Sequence, residues 1–318
     1  MAGLESLPRS LATSQAGAER IAVVIPCFDE EAQVGSVVRA FRAALPDAEI
    51  VVVDNASRDA TAAVAREAGA RIVHESRAGK GNALLCGLAA VPDADFVVMV
   101  DGDGTYPASA APALVAAARA GADLVVGTRL REAEPGAFPA GHSFGNRLFI
   151  GIVRLLFNVR TSDLFSGYRV LSRRFLRSTP LLATGFEIEA ELTVQAAMRG
   201  FTIAELPVAY RPRGAGSASK LATVRDGSRI LLAILTYFRD SRPLTCFGGL
   251  AALFAGCATL FGSVVIVEFL DTGLVTRLPL AVLAAALFIL GALSLTCGVL
   301  LSSINRRAAE LAALISGR

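Results

Sequence analysis

The sequence lacks several patterns by which whole classes of protein are recognised. Its five cysteines form no Cys-x-x-Cys pair, so we expect free thiols in a reducing compartment and neither zinc nor disulfides. No Gly-x-Gly-x-x-Gly follows the first predicted strand, which argues against a dinucleotide oxidoreductase because the pyrophosphate has no glycine turn to approach. The net charge is only +3 and the basic residues flank apolar segments, so nucleic acid is not an expected partner.

Charge is absent from two long apolar runs near the C-terminus. Residues 243–267 carry none over 25 positions, and residues 278–305 carry none over 28. Each run exceeds the ~20 residues that a helix needs to cross the hydrocarbon core of a bilayer. A buried helical hairpin is the alternative, but the mean hydropathy of +0.54 favours a membrane hairpin with a short connecting loop.

The arginines around these runs predict the orientation of the hairpin. Four arginines precede the first run closely, two follow the second, and the connecting loop holds Arg277 alone. The positive-inside rule therefore places both ends of the hairpin in the cytoplasm. Residues 1–20 contain no apolar core segment, so we expect no signal peptide. The expected location is the inner or plasma membrane, multi-pass, with the bulk of the chain and both termini cytoplasmic.

Alternating strand and helix patterns predict the fold of the remainder. Short β-branched runs alternate with alanine-rich segments of helical period, which is typical of a mostly parallel sheet with helices on both faces. The predicted strands are 21–25, 49–53, 71–74, 95–100, 123–127 and 201–210. The predicted helices lie near 30–44, 59–69, 81–91, 108–120, 142–157, 187–199 and 224–238, and the last is expected to run along the membrane surface.

These patterns divide the chain into five predicted segments. Residues 1–20 form an N-terminal tail that we expect to be disordered, and residues 21–221 form a cytoplasmic α/β domain. Residues 222–242 form an amphipathic juxtamembrane helix, residues 243–305 form the transmembrane hairpin, and residues 306–318 form a cytoplasmic tail.

Two aspartates one residue apart end the apolar run 96–100. Asp101 and Asp103 would stand at the carboxyl end of a buried strand, where open α/β sheets form their ligand crevices. Two carboxylates at this spacing suit a divalent cation, Mg²⁺ or Mn²⁺, that keeps positions open for phosphate oxygens. A polar, glycine-rich turn after a core strand is the other interpretation.

The first two strands end in polar residues at the same predicted edge. Pro26, Phe28 and Glu30 follow the first strand, although acids here can instead stabilise a helix N-terminus. Asp54 and Asn55 follow the second strand. Three consecutive acidic strand ends along one crevice fit recognition of a base, a ribose and a metal-bound diphosphate.

Lysine is scarce: Lys80 and Lys220 are the two lysines among 31 basic residues. Both stand in loops of small residues, and loops of this kind commonly approach phosphates. The two histidines, His74 and His142, are not expected to bind metal because nothing near them in the sequence completes a site.

Taken together, these motifs resemble the family-2 glycosyltransferases of GT-A type, and within them dolichol-phosphate mannose synthase and the bacterial polyprenyl-phosphate glycosyltransferases. The resemblance covers roughly residues 20–240, and the hairpin matches members with two C-terminal spans. The motifs that carry it are Pro26-x-Phe28-x-Glu30, Asp54 with Ser57 and Asp59, Gly79-Lys80-Gly81, Asp101-x-Asp103, Gly127-Thr128-Arg129, residues 163–169, residues 185–189, Arg211-x-Arg213, and Ser217-x-Ser219-Lys220.

The resemblance implies inverting transfer of one hexose from a nucleotide sugar, of the GDP-mannose or UDP-glucose class, to a polyprenyl phosphate. The implied metal ligands are Asp101 and Asp103. The implied nucleotide-sugar site comprises Pro26, Phe28, Glu30, Asp54, Asn55, Lys80, Asp101 and Glu187. The implied catalytic residues are Asp103, Arg129, Arg211 and Lys220. The implied acceptor-phosphate site comprises Arg129, Arg131, Arg147, Arg213, Ser217 and Ser219. The lipid bilayer is a further expected partner, and hairpins of this kind can assemble into homo-oligomers.

Three departures from the family's pattern leave the base and the sugar open. Asn55 stands where a second Asp is common, and Thr105 stands where some members have a metal-binding Gln. His142 and Ser143 occupy a region where many members carry an Arg, so Arg147 or Arg131 would substitute.

Other interpretations of these motifs remain. Residues 166–169 can be a packing turn, and the acids at 187 and 189 can simply begin a helix. A transferase with another lipid acceptor and a non-catalytic nucleotide-sugar-binding membrane scaffold are the alternative functions. A processive polysaccharide synthase is excluded, since such enzymes resemble one another in a Gln-x-x-Arg-Trp motif and this sequence has no tryptophan.

Overall fold

The computed structural model describes residues 19–129, 142–159, 161–212 and 223–315. The strands are β1 (Ile21–Cys27), β2 (Glu49–Asp54), β3 (Arg71–His74), β4 (Phe96–Met99), β5 (Leu124–Thr128), β6 (Arg169–Ser172) and β7 (Ile203–Pro207). The helices are α1 (Glu31–Ala44), α2 (Thr61–Glu67), α3 (Lys80–Ala89), α4 (Ala111–Arg119), α5 (His142–Phe157), α6 (Arg173–Ser178), α7 (Ile188–Met198), α8 (Thr223–Ser241), α9 (Pro243–Thr272) and α10 (Leu278–Ile315).

The chain divides into two compact units. The described part of the first contains residues 19–129, 166–185 and 201–212, and it holds the whole sheet. The described part of the second contains residues 142–159, 161–165, 186–200 and 223–315, and its regular elements are all helices.

The sheet of the first unit has seven strands in the order β3-β2-β1-β4-β6-β5-β7. β1 pairs in parallel with both β2 and β4, β2 with β3, and β5 with β7. The β-branched runs lie in its interior, where Val23, Val52 and Val98 are completely buried. This arrangement confirms the predicted mostly parallel sheet with helices packed on it.

The sequence patterns did not predict one strand, β6. β6 lies antiparallel between β4 and β5, with Val98 opposite Val170 and Val125 also opposite Val170. Its first residue, Arg169, is fully buried, and a charged residue in a four-residue strand weakens the apolar pattern on which strand prediction depends. The motif at residues 166–169 is therefore the entry into a central strand.

The second unit has its own apolar cluster, formed by α5, α7 and α8. Val153, Phe157, Val194, Ile230 and Ile234 are among its buried members. α8 contributes Ile230 and Ile234, one turn apart, and exposes apolar side chains beside them. The predicted helix at 224–238 is confirmed.

The second unit also contains two long apolar helices, α9 and α10. Within the described residues these are the two helices long and apolar enough to cross a membrane. They pack on each other through small residues: Ser294 Oγ donates to the Phe247 carbonyl at 2.9 Å, and a β-carbon at Gly291 would lie 3.2 Å from the Ala251 carbonyl oxygen. Most of their leucines are exposed.

Candidate functional site

The carboxyl ends of neighbouring parallel strands bring the predicted polar residues to one edge of the sheet. In the strand register, Cys27 is opposite Asp54, and Asp54 is opposite His74. β4 runs parallel to β1, so Asp101, two residues beyond its last residue, follows at the same edge. This is the edge at which open α/β sheets bind ligands.

Asp101 is held between a cation and a backbone. Its Oδ1 lies 2.5 Å from Lys80 Nζ, and the two side chains are 24% and 14% exposed. Its Oδ2 lies against Gly167, where a β-carbon would overlap both the oxygen and Cγ. Glycine at position 167 is therefore a steric requirement of the Asp101 carboxylate.

Lys80 begins α3 between two glycines whose backbones are pressed against residues 183–184. Gly79 has φ +132°, and a β-carbon there would overlap the Thr184 carbonyl oxygen. A β-carbon at Gly81 would overlap the Ala183 carbonyl oxygen, and Asn82 N–H donates to the Thr184 carbonyl at 3.1 Å. The Gly-Lys-Gly sequence is thus required for a close backbone approach that fixes where the Lys80 side chain begins.

Asp103 is buried, with 5% of its surface exposed, and is oriented by Thr105. The Thr105 hydroxyl donates to Asp103 Oδ1 at 2.7 Å, and the Thr105 N–H donates to the same oxygen at 3.2 Å. Thr105 stands at the position where some members of the family have a metal-binding Gln. In the structure its hydroxyl donates to the aspartate, so it positions a carboxylate.

The two arginines predicted to be catalytic in this unit lie beside the Asp101–Asp103 loop. Arg211 N–H donates to the Thr105 carbonyl at 3.0 Å. The Arg129 guanidinium carbon lies 5.4 Å from the centre of the Tyr210 ring, a cation–π contact, and Tyr210 packs edge-on against Tyr106. These contacts bring the backbone of Arg211 and the residues around Arg129 next to the loop that carries the two aspartates.

The segment at residues 166–169 contacts the loop that follows β4 and carries Asp101 and Asp103. Gly167 N–H donates to the Tyr106 hydroxyl at 2.9 Å, and the Ser166 hydroxyl donates to the Gly127 carbonyl. Arg169 Nε donates to the Ser166 carbonyl at 2.9 Å. The segment therefore packs the base of the domain and lies against the Asp101 carboxylate, and a role of this motif in function stays a prediction.

The loop after β1 is tied to the loop after β2. Glu30, which is buried, donates its N–H to the Thr61 hydroxyl at 2.8 Å, and Asp29 N–H donates to the Ser57 hydroxyl at 3.1 Å. Phe28 is 37% exposed at this edge, and its predicted contact with a base stays a prediction. Pro26 pairs with Val53 and is half-buried.

Asp54 has a partner that the sequence patterns did not indicate. His74 Nδ1 lies 3.1 Å from Asp54 Oδ2, and Asp54 Oδ1 accepts the Ser57 N–H at 3.2 Å. The strand register was the available signal, since the last residues of β2 and β3 are opposite each other. From the sequence, His74 is not expected to bind metal, and no other role is predicted for it.

The Asn55 side chain is engaged with the loop that leads to Lys80. Its Nδ2 donates to the carbonyls of Glu75 and Arg77, at 3.0 and 2.7 Å, and its Oδ1 accepts the Gly79 N–H at 2.8 Å. Both amide hydrogens and one carbonyl lone pair are thereby used. Hydrogen bonds from the Arg77 side chain and backbone lower the pKa of Glu75 to about 2, so this loop is also held by an ion pair.

The remaining predicted residues lie elsewhere. Glu187, at the start of α7, and Arg147, on α5, belong to the second unit, and their roles stay predictions. Arg131, Arg213, Ser217, Ser219 and Lys220 lie outside the described residues.

The residues at the Asp101–Asp103 loop fit a divalent cation bound together with phosphate. Among the described residues no group of three or more Asp, Glu, His or Cys side chains could hold a metal alone. Two carboxylates completed by substrate phosphates and water are the usual environment of Mg²⁺ at phosphate sites. Lys80 Nζ lies 2.5 Å from Asp101 Oδ1, so a cationic group already contacts one of these carboxylates.

Solved structures share this architecture. Glucosyl-3-phosphoglycerate synthase from Mycobacterium tuberculosis, crystallised with Mn²⁺, UDP and phosphoglyceric acid, superposes with a TM-score of 0.58 at 25% identity, over 70% of this chain and 79% of that chain. The sheet and the paired aspartates at its edge therefore define a glycosyltransferase fold of GT-A type.

Proteins of similar sequence identify the family within this class of glycosyltransferases. The family described as Glycosyl transferase family 2 matches residues 22–179. Glycosyltransferase AglJ of Haloferax volcanii is 32% identical over 79% of this chain and 82% of its own. A dolichyl-phosphate hexose transferase of the same organism is 34% identical over 70% of this chain and 95% of its own. The chain belongs to glycosyl transferase family 2.

Proposed function

We propose that this enzyme transfers a single hexose from a nucleoside-diphosphate sugar to a polyprenyl phosphate, with inversion at the anomeric carbon. The product is a lipid-linked sugar that serves as a donor for later glycosylation. The proposal covers the donor class, the acceptor and the divalent metal together.

One observation carries the donor half of the proposal: Asp101 is paired with Lys80 at 2.5 Å beside the buried Asp103. A carboxylate pair accompanied by a lysine suits a leaving diphosphate, whose charge needs both a metal and a positive side chain. The Mn²⁺ and UDP in the M. tuberculosis structure support this assignment. When bound at Asp101 and Asp103, a divalent metal would supply Lewis-acid stabilisation of the departing diphosphate.

The chain's own residues account for the remaining requirements of the transfer. A phosphate oxygen of the acceptor bonds to the anomeric carbon, and the bond from that carbon to the diphosphate oxygen breaks with its electron pair. The acceptor phosphate is already ionised at neutral pH, so no strong general base is needed. Arg129 and Arg211, beside the Asp101–Asp103 loop, would hold two anions close together. Arg213 and Lys220 are proposed to assist.

The acceptor half of the proposal depends on the second unit. α9 has 30 residues, about 45 Å at 1.5 Å per residue, and α10 has 38. α8 exposes Leu231, Leu232 and Leu235, and leucines in that position suit lipid better than water. These features support a membrane-held acceptor, and the arginines at both ends of the hairpin support cytoplasmic termini.

The test is transfer by the purified full-length protein in vesicles. Vesicles containing undecaprenyl or dolichyl phosphate are incubated with Mn²⁺ or Mg²⁺ and a panel of UDP- and GDP-hexoses, and the lipid product is identified by mass spectrometry. One lipid-linked hexose per acceptor is the expected result, with loss of transfer on chelation by EDTA.

Other outcomes assign a different function. Transfer to phosphoglyceric acid but not to polyprenyl phosphate would favour an acceptor like that of the M. tuberculosis relative. Metal-dependent binding of a nucleotide sugar without turnover on any acceptor would favour the non-catalytic scaffold.

A further inference from the structure

We infer that Lys80 is a built-in competitor of the metal at Asp101, and that release of Lys80 by the donor diphosphate couples metal binding to nucleotide binding. The inference rests on the metal assignment of the proposed function. It gives Lys80 two successive partners and gives Asn55 the role of a positioning residue.

The contacts around Asp101 restrict how a divalent cation can bind its carboxylate. A β-carbon at Gly167 would overlap Oδ2 and lie 2.7 Å from Oδ1, so the backbone of Gly167 crowds one side of the carboxylate. Oδ1 carries Lys80 Nζ at 2.5 Å. A divalent cation that binds Oδ1 must therefore share this oxygen with the ammonium group or displace it. Two cations on one oxygen repel each other strongly in a half-buried site.

Lys80 can move while its backbone stays in place. The first residues of α3 are fixed by Gly79 and Gly81 against residues 183–184. The side chain beyond them is a flexible four-carbon stem with a point charge at its end. A diphosphate at the helix N-terminus would give that charge a new partner within reach, since helix N-termini favour phosphate.

Asn55 sets the starting position of this movement. Its amide holds Glu75, Arg77 and Gly79, the three backbone positions that lead into Lys80. Aspartate could not reproduce this arrangement, because it has no N–H groups to donate to the carbonyls of Glu75 and Arg77. The departure from the family's second Asp is therefore matched to the loop that carries Lys80.

The consequence is an order of binding. Without nucleotide, Lys80 neutralises Asp101 and metal affinity is low. When a nucleoside diphosphate is bound, the Lys80 ammonium group moves to its phosphates. Asp101 Oδ1 then becomes available to the metal. By linkage, metal and nucleotide must each increase the affinity for the other by the same factor.

The test measures Mn²⁺ binding to the detergent-solubilised full-length protein by electron paramagnetic resonance, with and without UDP. Lys80→Met should bind Mn²⁺ about tenfold more tightly than wild type when UDP is absent, because the competing charge is gone. The increase in Mn²⁺ affinity on adding UDP should be correspondingly smaller. Lys80→Arg, which retains the charge, should keep the weak nucleotide-free binding.

Two further variants keep the test falsifiable. Arg58→Met removes an equal charge from an exposed residue of the loop after β2 and should leave nucleotide-free Mn²⁺ binding unchanged. Asn55→Asp should shift binding in the same direction as Lys80→Met but by less, because the loop loosens while the lysine remains. Circular dichroism establishes that each variant is folded.

The outcomes separate the inference from the proposed function. If Lys80→Met weakens UDP binding but leaves nucleotide-free Mn²⁺ affinity unchanged, Lys80 is a donor ligand alone and the inference is overturned, whatever the transfer assay gives. If Lys80→Met raises that affinity while the wild-type protein transfers no sugar to polyprenyl phosphate, the inference stands and the acceptor assignment fails.

Discussion

The strand-end loops of the sheet and the helical hairpin use glycine for opposite purposes. In the first unit, Gly167 makes room for the carboxylate of Asp101. In the second unit, Gly291 and Gly298 make room for the neighbouring helix, where β-carbons would lie 3.2 Å from the Ala251 carbonyl oxygen and 3.0 Å from Phe247 Cβ. Glycine at position 167 therefore accommodates a predicted metal ligand, whereas glycine in the hairpin accommodates the neighbouring helix.

The sheet and the hairpin also differ in the residues that they bury. The sheet buries valine and isoleucine and leaves polar strand ends at its edge, as a protein in water does. The hairpin buries Ala251, Ala258 and Ser294 and exposes leucines, as helices in lipid do. Substitutions at the sheet edge should therefore change catalysis with little effect on the hairpin, and substitutions in the hairpin should do the reverse.

Asp103→Ala should produce the largest effect. Removing a buried carboxylate from the proposed metal site should reduce sugar transfer by at least about 10²-fold, while the protein stays in the membrane fraction. Transfer is measured in washed membranes and compared with Asp93→Ala, which removes an exposed carboxylate paired with Arg20. Transfer by the Asp103 variant at the wild-type rate would refute the metal assignment.

Gly167→Ala should produce the second-largest effect on sugar transfer. The added β-carbon overlaps Asp101 Oδ2, so the carboxylate must shift, and a misplacement of this kind can reduce the rate by about 10²-fold. kcat is the quantity to measure. Gly151→Ala, on α5 with no described atom within 4 Å of its added β-carbon, is the matched control and should be as active as wild type.

Gly291→Leu tests the other side of the comparison. Its side chain would enter the contact between α9 and α10, and overpacking of this kind destabilises by about 1–3 kcal/mol. Unfolding in detergent gives the stability, and the affinity for UDP should not change. Gly256→Leu, on an exposed face of α9 with no described neighbour within 4 Å, should have no effect on stability. Equal losses in both variants would mean that the glycines are not packing positions.

The smallest effect concerns the pH dependence of the loop that carries Lys80. Hydrogen bonds from Arg77 lower the folded-state pKa of Glu75 to about 2. Because the folded-state value is depressed, the contribution of this pair to stability is complete above the ordinary pKa of glutamate and is lost as the pH falls towards 2.

Hydrogen exchange tests this prediction. In the folded protein, protection of the Arg77 amide, which donates to Glu75 Oε1 at 2.8 Å, should persist well below the ordinary glutamate pKa. In Arg77→Met the protection should be lost near that ordinary value. The same acid range for both proteins would show that Arg77 does not hold Glu75 ionised.

The strand ends were accessible from the sequence because a parallel sheet places its polar residues in a regular position. Asp54 and Asp101 each follow a β-branched run, and the alternation of strands and helices requires those runs to be parallel. The hairpin was equally accessible, since an uncharged stretch of more than 20 residues meets the length that a bilayer imposes. Both features depend on local composition alone.

The pairing of side chains at the edge required the tertiary structure. Lys80 with Asp101, Asn55 with residues 75–79, and His74 with Asp54 each join residues about 20 positions apart. β6 was missed because its buried Arg169 breaks the apolar pattern, and with it the steric role of Gly167. The sequence by itself determined which strands end in acid and which helices are apolar, because both follow from local periodicity. The cation and the backbone that each acid meets depend on strand order and close packing, which no local pattern encodes.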